Sequence, residues 1–200
     1  MTPTPVSPHE QICVFEGAAI RIDYATGRVT AATGTTAQAW AQKPDSIHGV
    51  RWGLSFGTEE ADLETGQLLH PRLPTGLTAA VALAATLIVR TLGSTERSMS
   101  RLIALAATAA RSTTRSATAA EADQVVTAVR WVSRWMPFRI ACLEESIAVV
   151  LVLAARRRGV TWCHGIAPDP VQFHAWIQTD GSPIAEPLTT SQYTVLRTIS

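Results

Sequence analysis

The sequence predicts an α+β protein, with helices packed on a small antiparallel sheet and a small β-rich region in front. Three observations carry this. Short alternating segments separated by turn signals occupy the first third of the chain. Alanine- and valine-rich stretches with helical spacing follow from Thr78. The last sixty residues then read as one helix followed by strands.

Composition narrows the class. The chain has 200 residues, 46% of them hydrophobic and only 16% charged, enough to bury a core. Seventeen basic and sixteen acidic groups nearly cancel, which argues against a nucleic-acid binder. Residues 90–158 hold eleven arginines and five acids, read as solvated helix faces. Cys13, Cys142 and Cys163 form no CxxC and no disulfide framework. The first residues lack a secretory signal pattern, so a cytoplasmic protein is expected. The apolar stretch Ala79 to Val89 falls short of the roughly 20 residues that span a bilayer, so it reads as a buried helix and no membrane partner is expected.

Taken in order, residues 1–10 are rich in Pro, Thr and Ser. Ile12–Phe15, Ala19–Tyr24 and Arg28–Ala32 read as strands. Residues 34–76 offer no firm elements, only Trp40, Trp52 and Phe56 as anchors. Leu83, Leu87, Ile88 and Leu92 are expected on one face of a helix that Gly93-Ser94 ends. Two further helices are expected at 96–110 and 119–135, and Pro137 breaks the chain. A helix is expected over 142–158, with Glu144 and Glu145 in its first turn, Arg156 to Arg158 in its last, and Gly159 as the stop. Strands are expected at 160–167 and 171–178, joined by the turn Pro168-Asp169-Pro170, with 182–186 pairing back.

Cys142 begins its helix. Unpaired N–H groups and the positive dipole end there favour a thiolate and offer donors to an oxyanion. A small buried hydrophobe is the simpler reading of that cysteine taken alone. Its partner is His174, which alternation places on the same strand face as Trp176. Trp176 would line a substrate groove or fill the core. Asp180 is the nearest acid in sequence, but extended chain carries it roughly 15–20 Å from His174. A three-residue loop at 179–181 would set His174 opposite Glu186, whereas a two-residue loop would put Glu186 on the other face. Cys163 and His164 are adjacent and point to opposite faces, which argues against a metal site.

These motifs carry a resemblance. Phe138-Arg139-Ile140-Ala141-Cys142-Leu143-Glu144-Glu145-Ser146, Arg156-Arg157-Arg158-Gly159, Phe173-His174-Ala175-Trp176-Ile177 and Asp180-Gly181-Ser182-Pro183-Ile184-Ala185-Glu186 resemble the lasso-peptide B proteins. These are leader peptidases with a transglutaminase-like (papain-like) domain. The match runs over about residues 80–200, and the family's apolar strand ending in Ile/Val-Gly-Val is here Trp162-Cys163-His164-Gly165-Ile166-Ala167. The resemblance implies Cys142 as nucleophile, His174 as base and Glu186 at the acidic position. It implies removal of a leader from a ribosomally made precursor. A partner ATP-dependent cyclase, itself the user of ATP, then closes the macrolactam, and the peptidase needs no cofactor. It divides the chain into residues 1–75, a possible fused leader-recognition region, and 76–200, the protease domain. Such recognition modules take up the leader as an added strand. Two other readings use the same residues. An acyltransferase would pass the acyl group to an amine, and a non-catalytic scaffold would only hold the precursor for the cyclase.

Overall fold

The computed structural model describes residues 9–49, 71–168 and 171–200. The expected anchors Trp52 and Phe56, and most of the expected turn at 168–170, lie outside them.

The chain opens with β1 (Glu10–Phe15), β2 (Ala18–Asp23) and β3 (Arg28–Thr33), an antiparallel meander. Gly17 and Gly27 take φ of +80° and +73° in its two turns, where a Cβ would be strained. α1 (Gly34–Ala41) and β4 (Ser46–His48) follow in a stretch whose sequence carries no strong period. β4 lies parallel to β1, which completes the order β3-β2-β1-β4. Trp40 does serve as an anchor, with the Arg21 guanidinium 5.0 Å from its ring centre.

Three helices then form a bundle around a fourth. α2 (Leu73–Thr91) starts on Pro74, and α3 (Ser98–Ala110) follows a short 3-10 turn. After β5 (Arg115–Ser116) comes α4 (Ala119–Ser133), which opens on a capping box. There Thr118 Oγ1 accepts from the Glu121 N–H, and the Glu121 carboxylate accepts from the Thr118 N–H. α5 (Cys142–Ala155) is the central helix, with Ile147, Ala148, Val149, Val150, Val152 and Leu153 all buried. It packs against α2, α3 and α4.

Two expectations for the helices are corrected. Ala79, Ala82, Leu83 and Thr86 form the buried stripe of α2, while Ile88 and Leu92 are 58% and 56% exposed. At about 100° per residue, Ile88 lies about 140° around the axis from Leu83, and Leu92 about 180°. The large residues Leu73, Leu77 and Val81 also face outward, so α2 is not the wholly buried helix expected. By length and composition it is also apolar enough to cross a membrane. α5 ends three residues early. Arg157 takes the left-handed position (φ 58°), and Arg158–Gly159 forms β6, parallel to β5. Gly159 is therefore a strand residue, whose added Cβ would sit 3.0 Å from Thr113 Oγ1. Arg158 leaves the helix end to pair with Glu121 at 2.5 Å.

The second large sheet has the order β10-β7-β8-β9, formed by β7 (Thr161–Pro168), β8 (Val171–Thr179), β9 (Ser182–Pro183) and β10 (Thr194–Ile199). β10 was not expected from the sequence. Facing pairs Trp162–Ile177, His164–Ala175 and Ile166–Phe173 share one face. Trp162 Nε1 donates to Ser146 Oγ of α5 at 2.9 Å, which fixes that face toward the helix. Cys13, Ile20, Ile22 and Tyr24 of the first sheet join the same hydrophobic cluster as the helices and the second sheet. The Tyr24 hydroxyl is hydrogen-bonded to His164 Nδ1 at 2.8 Å, and Arg197 lies 4.8 Å over its ring.

Candidate active site

The site is assembled from the start of α5, the middle of β8 and the chain just beyond β9. Cys142 is the first residue of α5, after Ala141 in extended conformation. No side chain caps this end. The first N–H groups of the helix thus have no intrahelical acceptor and stay available as donors. Glu144 and Glu145 would compete with the sulfur for positive potential, but both turn aside. Glu144 is buried and paired with Arg90 at 2.7 Å. Glu145 accepts from Ser133 Oγ at 2.5 Å. Burial pushes its carboxyl above the usual range, and the neighbouring Glu186 and Glu144 add to the rise against Ser133 and Arg130.

His174 lies between the other two candidates. Its Nε2–H donates to Glu186 Oε2 at 2.6 Å, and Cys142 is near enough to raise the proton affinity of the ring. Nδ1 is thus the ring nitrogen left for the sulfur. Burial alone would depress its basicity. The hydrogen bonds to Cys142 and Glu186, with their negative charges, outweigh burial and push the imidazole up to about 9.

Glu186 reaches the histidine by a route the sequence did not predict. The expected three-residue loop is replaced by a two-residue turn, Asp180-Gly181, with φ of 50° and 78°. Pairing is Thr179 with Ser182 and Gln178 with Pro183, so strict alternation would send Glu186 to the far face. The strand does not continue that far. The Ile184 N–H still donates to the Ile177 carbonyl at 3.1 Å, then Ala185 turns left-handed at φ 52°. That kink swings Glu186 back to His174. Asp180 stays at the exposed hairpin tip.

The Glu186 carboxylate is fully engaged. Oε2 also accepts from Thr190 Oγ1 at 3.3 Å, and Oε1 accepts from Arg130 Nη2 at 2.6 Å. Arg130 Nη1 donates to the Ala185 carbonyl. The Glu186 side chain is 4% exposed. Trp176, the candidate groove residue, is only 2% exposed and stacks on His174 with ring centres 5.8 Å apart. It backs the imidazole from the core. Tyr193 packs against both rings, 5.3 Å from His174 and 6.2 Å from Trp176.

Arg130, Thr190 and Tyr193 were missed from the sequence. Arg130 lies 56 residues from Glu186, and no local pattern links them. Among the described residues no three His, Cys, Asp or Glu side chains gather as metal ligands do. Cys163 and His164 are buried separately, and His164 Nδ1 is bound to Tyr24.

A thiol at a helix start, an imidazole bonded to it and a carboxylate behind the imidazole form the chemistry of a cysteine nucleophile with its base and orienting acid. Residues 78–198 match the transglutaminase-like superfamily. The chain belongs to this superfamily. A transglutaminase-like domain fits cysteine peptidases and acyltransferases alike, which carry an acyl group on a cysteine. No curated protein and no solved structure matches the chain.

Proposed function

We propose that this transglutaminase-like protein is a cysteine peptidase that cuts the leader from a ribosomally made lasso-peptide precursor. A partner ATP-dependent cyclase then closes the macrolactam. The contact chain Cys142–His174–Glu186 is the observation that carries the catalytic part of this reading. The motif resemblance over residues 80–200 supplies the substrate.

The reaction runs through the thiolate. His174 Nδ1 takes the Cys142 proton, and Sγ attacks the carbonyl carbon at the leader–core junction. The oxyanion is held by the free N–H groups at the start of α5, beginning with that of Cys142. His174 returns a proton to the leaving amine and the core peptide departs. Water, deprotonated by His174, then hydrolyses the thioester and frees the leader acid. Glu186 holds the imidazole orientation and stabilises imidazolium throughout. Trp176 limits ring rotation from behind. The peptidase steps use side chains and water, with ATP consumed by the cyclase. The reaction is placed in the cytoplasm, where ribosomal precursor and ATP are both present.

The N-terminal sheet is proposed to hold the leader. β3 is an edge strand of β3-β2-β1-β4, with Arg28, Val29, Ala31 and Thr33 exposed. An extended peptide added there would gain main-chain hydrogen bonds.

Mass spectrometry of a precursor encoded beside this gene tests the proposal. Wild type and Cys142→Ala are incubated with it, with and without the cyclase. A leader-sized fragment from wild type alone supports the peptidase. An adduct of the acyl fragment with an added amine, without hydrolysis, would show the acyltransferase. An intact precursor bound equally by both proteins would show the scaffold.

A further inference from the structure

The Glu186 carboxylate is not alone in its surroundings. Glu145 of α5 is close enough for the two negative charges to oppose each other. Arg130, in the last turn of α4, is the cation near both. Its guanidinium holds Glu186 Oε1 through Nη2 and the Ala185 carbonyl through Nη1. The second contact lies on the left-handed residue that swings Glu186 onto His174. One side chain thus clamps the kink and the carboxylate that the kink delivers. A planar fork can do both at once, whereas an ammonium is a single point charge.

We infer that Arg130 is a positioning residue for the candidate site, clamping Ala185 and the Glu186 carboxylate so that Glu186 is aimed at His174 Nε2. The inference rests on the proposed peptidase reading only for its kinetic consequence. The groups facing the Glu186–His174 pair are Cys142 and Glu145 from α5, Arg130 from α4, His164 from β7, and Thr190 and Tyr193 from the segment after Glu186. Removing Arg130 releases both the Ala185 carbonyl and Glu186 Oε1, so the carboxylate is no longer held against the His174 ring.

The test is an NMR titration of the His174 ring in the full chain, which needs no substrate. Wild type is expected to titrate near 9. Arg130→Met is expected to lower the midpoint by about one pH unit or more, a tenfold change in proton affinity. Arg130→Lys keeps the charge without the fork. It is expected to lower the midpoint by less than Arg130→Met and to cleave precursor with kcat lowered about tenfold and KM unchanged. Circular dichroism verifies the fold of each variant. An unshifted midpoint in folded Arg130→Met overturns the inference. If Arg130→Met does not fold, Arg130→Lys decides, and an unshifted midpoint in that variant overturns the inference. Failure of cleavage in wild type with the titrations as expected would overturn the peptidase reading alone.

Discussion

His174 and Glu186 are joined at 2.6 Å across a hairpin whose register sends them to opposite faces. The left-handed Ala185 resolves the conflict by ending the strand one residue before the glutamate. Ala185 therefore holds a backbone conformation that costs an ordinary L-residue about 1 kcal/mol. Ala185→Gly should keep the His174–Glu186 contact and leave stability unchanged or raised by up to about 1 kcal/mol, less the entropy glycine loses on folding. Ala185→Val, with a β-branched side chain at the same φ, should lower stability by about 1–3 kcal/mol and lower turnover. Urea midpoints and precursor cleavage rates check both.

Removal of the proposed nucleophile should abolish cleavage while leaving the fold intact, because Cys142 lies at a partly exposed helix start. Glu186→Gln should keep a hydrogen-bonding amide beside His174 but lose the charge. Its kcat should fall about 10²–10⁴-fold with little change in KM. Single-turnover kinetics on purified precursor separates the two parameters.

Two histidines should shape the pH dependence of stability in opposite senses. Burial, with the charges of His174 and Arg197, depresses His164 to about 4. Its contribution is complete above the unfolded value of about 6.5 and is lost as pH falls through 4, on the order of 3 kcal/mol. His174 is raised to about 9, so its contribution is complete below about 6.5 and lost as pH rises through 9. Thermal melts from pH 4 to 9 should peak near the middle of that range. His164→Gln should flatten the acid limb, and His174→Gln the alkaline one. An unchanged acid limb in His164→Gln would sink this assignment.

Gly165 faces His174 across the β7–β8 pair. A Cβ there would lie 2.8 Å from the Thr194 carbonyl and 2.8 Å from the Trp176 ring. Gly165→Ala should cost about 1–3 kcal/mol through overpacking. It should also lower kcat, since the displaced indole is the one stacked on His174. Melting temperature and near-ultraviolet circular dichroism of the tryptophans report both effects.

Much of the site is legible in the chain itself. Helix starts, turn residues and alternation are local, so Cys142 at the head of α5 and His174 on β8 can be read from neighbours in sequence. The capped start of α4 is equally local. The α+β class and the three N-terminal strands follow from the same rules. Packing decided the rest. The hairpin turn has two residues, and the glutamate meets the histidine only because Ile184 is the last residue to pair. The Arg130–Glu186 clamp, the docking of Tyr24 on His164 and the pairing of β10 with β7 join segments far apart in the chain. The outward face of α2 breaks the rule that large apolar residues point inward. A local pattern states which residues share a face, but which face is buried depends on what the rest of the chain brings to it.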